Sequence, residues 1–282
     1  MFTTLISAKD LMAQPETGLV ILDCRYSMDD PQRGESDWRA GHIPAAHYLS
    51  LDYHLSGNKT GPNGRHPLPD GQRLAVDLGA CGIEPATQVV VYDDSDHMYA
   101  ARAWWLLRWL GHEAVAVLDG GLPAWIASGG AIETDPPPRR TCRFIMRGAL
   151  ADTVDSAAVL ANLDEPAFTI VDARSPQRFI GQGETLDPVG GHIPGARNRF
   201  FRDNLAMDGR FKAAQTLRGE WHTVLGDTID PTEIVHQCGS GVTACVNLLA
   251  MEVAGLSGSR LYPGSWSEWC ADPARPVSTQ PD

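Results

Sequence analysis

Val20-Ile21-Leu22-Asp23-Cys24-Arg25 recurs 149 residues later as Thr169-Ile170-Val171-Asp172-Ala173-Arg174. Gly41-His42-Ile43-Pro44-Ala45-Ala46 recurs 150 residues later as Gly191-His192-Ile193-Pro194-Gly195-Ala196. Two motifs repeated at nearly the same offset mean one structural unit used twice. The pairing extends outward. Val89-Val90-Val91-Tyr92-Asp93 matches Ile234 to Cys238, and each run precedes a helical pattern, Met98 to Leu110 and Val242 to Ala254. Leu118 to Trp125 likewise matches Tyr262 to Trp269. In each half, short apolar runs (Val20–Leu22, Val89–Tyr92, Ala114–Leu118; Thr169–Val171, Glu233–Gln237, Arg260–Tyr262) alternate with helical stretches. Buried parallel strands joined by crossover helices give this alternation. The expected fold class is therefore α/β, with two tandem domains, each a central, mostly parallel sheet with helices on both faces. Thr134 to Arg140, with three consecutive prolines, continues neither a helix nor a central strand. The expected division is a domain over 1–130, a linker over 131–150 and a second domain over 151–282.

The 282 residues suffice for two ordinary cores. A net charge of -12 speaks against nucleic acid or an anionic membrane as partner, since both reward clustered Lys and Arg. No apolar run is long enough to span a bilayer, and the first residues do not read as a secretory signal. The six cysteines, at 24, 81, 142, 238, 245 and 270, include no Cys-x-x-Cys pair. That spacing disfavours a zinc site or a disulfide framework, and a reducing cytoplasm is the expected location.

The halves differ where Asp93 in the first faces Cys238 in the second. Cys238-Gly239-Ser240-Gly241-Val242-Thr243 lies between a strand-like run and a helix-like run. Glycines let successive amides converge on one point and a helix start adds partial positive charge. A thiolate there is stabilised, and such cysteines are expected to be partly exposed. A buried structural cysteine is the bland alternative. Gly239 to Ala244 also fits G-x-G-x-x-A, but no acidic residue for a ribose stands in Ser257 to Arg260.

The six residues of this loop resemble the active-site loop of the rhodanese superfamily of sulfurtransferases, and of its 3-mercaptopyruvate branch in particular. The resemblance implies two tandem rhodanese-like domains, with the catalytic cysteine in the second. It also implies a reaction without metal or organic cofactor, in which Cys238 takes sulfur from 3-mercaptopyruvate, rests as a persulfide and passes the sulfur to a thiol or cyanide. A thioredoxin-like reductant is among the acceptors it admits. Thiosulfate is the alternative donor, and a non-enzymatic persulfide carrier serving a protein partner is the third reading. Thiosulfate-preferring members carry Arg-Lys where this chain has Gly239-Ser240. Phosphatases of the same fold end a longer loop in arginine, whereas Ala244 and Cys245 follow Thr243 here.

Carried onto this chain, the resemblance makes Cys238 the nucleophile and Ser240, His66 and Asp52 a proton relay. Arg178 grips the donor's anionic group, and the backbone of Gly239, Gly241, Val242 and Thr243 lines the substrate. The bland alternatives are a surface ion pair for Arg178 and an exposed loop position for His66. The branch usually has a second arginine shortly before Gly-His-Ile-Pro; Glu184 to Gly190 contains none. His42 and His192 occur in both halves, including the one without the cysteine, and are expected to serve the fold. Packing is the expectation for Trp266, Trp269, Cys245 and the run Trp104 to Leu110.

Overall fold

The computed structural model describes residues 1–138, 140–226 and 230–280. Arg139 of the expected linker and residues 227–229, 281 and 282 of the expected second domain lie outside the described residues. The chain forms two compact units.

In the first unit β1 (Leu5–Ile6), β2 (Leu19–Asp23), β3 (His47–Tyr48), β4 (Gln88–Tyr92) and β5 (Val115–Leu118) form a parallel sheet in the order β1-β5-β4-β2-β3. In the second, β6 (Thr169–Asp172), β7 (Arg197–Asn198), β8 (Ile234–Gln237) and β9 (Arg260–Leu261) form a parallel sheet in the order β7-β6-β8-β9. A single parallel bridge, Thr153 to Leu261, stands where the first unit has β1. The short apolar runs of the repeat become β2, β4, β5 and their partners β6, β8, β9. Two-residue strands such as β3 and β7 are too short to leave a pattern in sequence.

Burial on both sheet faces accounts for the near-continuous apolar strands. Val89, Val90, Val91 and Tyr92 are fully buried, as are Val115 to Leu118. The helix Met98–Trp109 is buried from Tyr99 to Leu107, and Trp104 donates its indole N–H to the Thr3 carbonyl at 2.8 Å. The tryptophan run is core packing.

The repeated Asp-x-Arg and Gly-His-Ile-Pro motifs form one device in each unit. Arg25 forks onto Asp23 and donates to the Gly41 carbonyl at 2.7 Å; Arg174 forks onto Asp172 and donates to the Gly191 carbonyl at 2.6 Å. The arginine thus ties the end of the inner strand to the turn that starts the histidine motif. His42 and His192 are fully buried, bonded through Nδ1 to the carbonyls of Trp38 and Phe179 and stacked on those rings. They serve the fold.

The contiguous boundaries expected from sequence differ from the observed partition in two short segments. Residues 58–67 pack with the second unit and 207–211 with the first. Backbone fit explains the first: the Arg65 amide donates to Ser267 Oγ at 3.0 Å, and Gly64, at φ +84°, backs onto the Gly264 carbonyl. In the second, the Phe211 amide donates to Asp119 Oδ1 at 2.9 Å while the Gly209 carbonyl lies 2.9 Å from His97 Nε2. Residues 131–150 run along the first unit, with the Cys142 amide on the Gly79 carbonyl and the Arg147 amide on the Leu110 carbonyl. No helix among the described residues is long and apolar enough to cross a membrane.

His236, on β8, carries a pH liability. Its ring is fully buried, edge-on to Trp221 and 3.0 Å from Met251 Sδ, and burial pushes its pKa down from 6.5 to about 3. Below pH 6.5 the unfolded chain takes up a proton that the folded chain refuses. Stability therefore falls as pH drops through this window, by on the order of 5 kcal/mol in full. His236→Leu should flatten that fall, as read from urea midpoints at pH 7 and pH 4.5. Identical slopes in the two proteins would exclude His236 as the source.

Candidate active site

The loop 238–243 leaves β8 and enters the helix Ala244–Val253, which is buried from Ala244 to Met251. The segment after β9 holds it from behind. The Cys238 amide donates to Ser265 Oγ at 3.1 Å, the Cys238 carbonyl accepts from Trp266 N–H, and the Gly239 carbonyl accepts from Ser267 N–H, both at 3.0 Å. Ser265 adopts φ +54°, rare for a residue with a side chain. Its hydroxyl offsets the strain by donating to the Tyr262 carbonyl at 2.9 Å while receiving Cys238 N–H. Gly241 sits at φ +75°, and a methyl there would lie 2.4 Å from the Pro263 carbonyl oxygen, so only glycine fits.

Around the sulfur, the Ser240 amide points at Cys238 Sγ from 3.5 Å, and Ser240 Oγ lies 2.8 Å from His66 Nδ1. His66 and Ser240 are both buried and belong to the same unit, because residues 58–67 pack with it. His66 is therefore no exposed loop histidine. Asp52 lies in the first unit, where it accepts from the Tyr26 hydroxyl at 2.6 Å. Val242 is buried at the helix entry and Thr243 takes the cap position without a side-chain capping bond. Cys245 is fully buried, with Sγ 3.4 Å from the Gly241 carbonyl oxygen, as a packing residue.

The partly exposed thiol expected from sequence is not what the fold presents: Cys238 is 2 % exposed. Two arginines lie over the loop. A methyl placed on Gly239 would come within 2.7 Å of Arg65 Nη2 and 3.7 Å of both terminal nitrogens of Arg178. Arg178 is clamped by Glu184 in a two-pronged pair, Nε to Oε2 at 3.0 Å and Nη2 to Oε1 at 3.0 Å, and also reaches Asp187 at 3.5 Å. Arg65 pairs with the same Asp187. Burial works to raise the pKa of Glu184, but the Leu186 amide and Arg178 outweigh it and hold the carboxyl below its usual range. Arg178 is ion-paired, and its terminal nitrogens lie near Gly239 of the loop.

Sequence reading missed two cations. Arg65 is one. Arg174 is the other: its guanidinium stacks 4.7 Å from the Trp266 ring centre. Burial alone would lower its pKa, yet Asp172, Glu184 and Cys238 together raise it, so it stays charged. The repeated Asp-x-Arg motif signalled this residue, though only as part of the fold.

The first unit shows what the same strand-to-helix turn does with an aspartate in the cysteine's place. Asp93, at the position of Cys238, is buried and takes four backbone amides: Ser95 at 2.9 Å, His97 at 3.1 Å, and Tyr99 and Ala100 at 2.9 Å each. The turn converges four amides on the side chain that stands at this position.

Comparison with known proteins agrees with this architecture. The family model for the rhodanese-like domain matches twice, over residues 7–128 and 155–272. A protein of Pseudomonas aeruginosa named as a probable 3-mercaptopyruvate sulfurtransferase is 46% identical over 279 residues, covering 98% of each chain. The thiosulfate sulfurtransferase of Mus musculus is 31% identical over 281 residues, covering 95% of this chain and 92% of its own. Among solved structures, the 3-mercaptopyruvate sulfurtransferase of Escherichia coli superposes with a TM-score of 0.80 at 30% identity, over 94% of this chain and 99% of its own. With a doubled motif, a doubled sheet and two matching domains, the chain belongs to the rhodanese family of sulfurtransferases.

Proposed function

We propose that this protein moves sulfur from 3-mercaptopyruvate to a thiol or cyanide through a persulfide on Cys238, in the second of its two domains. In the first half-reaction the Cys238 thiolate attacks the donor's sulfur. An S–S bond forms and the C–S bond breaks, leaving its electron pair on carbon as the enolate of pyruvate. The donor's thiol proton ends on that carbon, so the products are a persulfide anion and pyruvate. In the second half-reaction the acceptor's thiolate, or cyanide, attacks the outer sulfur, breaks the S–S bond and restores the Cys238 thiolate. The Ser240–His66 pair is the proton path of this reading, and Arg178 orients the donor carboxylate, which a guanidinium fork suits.

The observation that carries the reading is the environment of Cys238 Sγ: the Ser240 amide aimed at it and the Ser240 hydroxyl on His66. The relatives' names support the donor class. Thiosulfate is the second reading, favoured by Arg65, which restores a second cation above a loop that carries none. A cytoplasmic setting belongs to the proposal, supported by six unbridged cysteines. So does a thioredoxin-like protein as the thiol acceptor.

Steady-state assays with each donor, and with cyanide or a thiol as acceptor, test this directly. The expected result is a larger kcat/KM for 3-mercaptopyruvate than for thiosulfate, with pyruvate released and one sulfur atom's mass added to the Cys238 peptide when acceptor is withheld. Preference for thiosulfate would replace the donor. Mass gain without turnover on either donor would leave a carrier. A Cys238 that reacts with neither donor nor a small alkylating reagent would end the proposal.

A further inference from the structure

Resting on the reading of Ser240 and His66 as the proton path, we propose that Gly57 is a positioning residue for His66: it closes the neck of the loop 58–67 and so fixes where the imidazole meets Ser240. The loop packs with the second unit, whereas Gly57 and Leu68, which flank it, pack with the first. A loop of this length whose ends meet is an Ω-loop, and its neck sets where the loop points. A methyl on Gly57 would run into the Leu68 carbonyl oxygen and lie 3.4 Å from Pro69 Cα. The two sides of the neck thus touch backbone to backbone, and only glycine lets them. One residue, Pro67, separates Leu68 from His66, and Pro69 follows, so φ is fixed on both sides of Leu68. A displacement at the neck reaches His66 through this stiff strut. His66 Nδ1 lies 2.8 Å from Ser240 Oγ, a distance with little slack.

Both sides of the neck are anchored in the first unit. On entry, Arg102, fully buried on the helix Met98–Trp109, donates through Nε to the Leu55 carbonyl at 3.4 Å. On exit, Asp70 caps the helix Gly71–Ala80 by accepting the Arg73 amide at 2.8 Å. The repeat builds the same tie in its other half. Asn247, on the helix Ala244–Val253, accepts from Asn204 Nδ2 at 2.6 Å, just ahead of the segment 207–211 that packs with the first unit. Arg102 and Asn247 are 145 residues apart, as Asp93 and Cys238 are, and Leu55 and Asn204 are 149 apart, as the first repeated motif is. Different side chains make one tie at matching positions, so the base of each crossing segment is held by design of the fold. The unit without the cysteine thereby serves the reaction: it holds the base of the loop that carries the histidine.

Gly57→Ala is expected to lower kcat by about ten- to a hundredfold, the cost of moving a reacting group by about an ångström. In a protein that already carries His66→Asn, the same substitution should cost nothing further, because its whole effect passes through the imidazole. A change that only weakened the fold would add its loss to that of His66→Asn. The ring-nitrogen NMR signal of His66, identified by its disappearance in His66→Asn, should shift in Gly57→Ala as the bond to Ser240 lengthens. With His66→Asn impaired, a parent-like kcat in Gly57→Ala overturns the inference, and so does an additive loss in the combined variant. If His66→Asn keeps kcat, the proton-path reading fails instead, and the ring signal alone judges the neck: unmoved in Gly57→Ala, it overturns the inference too. Should Gly57→Ala fail to fold, Pro67→Ala loosens the strut without crowding the neck. It should lower kcat and move the ring signal, and parent-like values of both would end the proposal.

Discussion

Cys238→Ser should lose at least ~10³-fold in sulfur transfer, with both donors and both kinds of acceptor, while the fold persists. A serine hydroxyl fills the same space and still faces the Ser240 amide, which points at the sulfur from 3.5 Å. It does not ionise near neutral pH, however, and has no stable counterpart of a persulfide. The mass increase of one sulfur on this peptide should vanish with the activity. Cys245→Ser is the control. Cys245 is fully buried in the first turn of the helix that follows the loop, against the Gly241 carbonyl, and a hydroxyl there still finds that carbonyl. Its variant should keep transfer, and loss of activity there would recast Cys245 as a resolving thiol. Retained turnover in Cys238→Ser would refute the nucleophile outright.

The repeat and the cysteine loop were readable because local rules write them. Strand runs such as Val89–Tyr92 are apolar along their whole length only because both sheet faces are covered, and Gly241 is needed because its φ is positive and its backbone meets that of Pro263. The pairing of His66 with Ser240 rested on resemblance, and its distance of 2.8 Å depends on a packing that no local pattern announces. Residues 58–67 follow the first half in sequence and the second in space. The same exchange hid Arg65: nothing in Gly64-Arg65-His66-Pro67 shows which side chain faces the loop. Thiol exposure was misjudged for a related reason. Loop composition speaks of amides and helix dipoles, whereas the cover over Gly239 is made by Arg65 and Arg178, held by Glu184 and Asp187.

The change expected to cost the most stability is Asp172→Ala. The Asp172 and Arg174 side chains are both about fully buried, and the aspartate accepts the Arg174 amide as well as its fork. Removing the carboxylate strands a guanidinium whose remaining partners are the Gly191 carbonyl, a Glu184 oxygen at 3.7 Å and the face of Trp266. Losing one partner of a buried pair is worth about 3–5 kcal/mol, a large share of a domain's net stability. The repeat supplies an internal comparison. Asp23→Ala breaks the matching Arg25 pair, where Asp23 also accepts the Tyr92 hydroxyl at 2.6 Å, so the loss of stability should be at least as great. The two variants should part in chemistry. Arg174 stacks on Trp266, whose amide donates to the Cys238 carbonyl, and loosening it should depress kcat at temperatures well below either melting transition. Asp23 borders the turn that carries Asp93, and its variant should keep kcat while folded. Calorimetry resolves the melting of each variant and assays at low temperature read the rest. Equal losses of kcat in both variants would show that Arg174 acts on the fold alone; a Tm for Asp172→Ala within a degree or two of the parent would contradict the buried pair's weight.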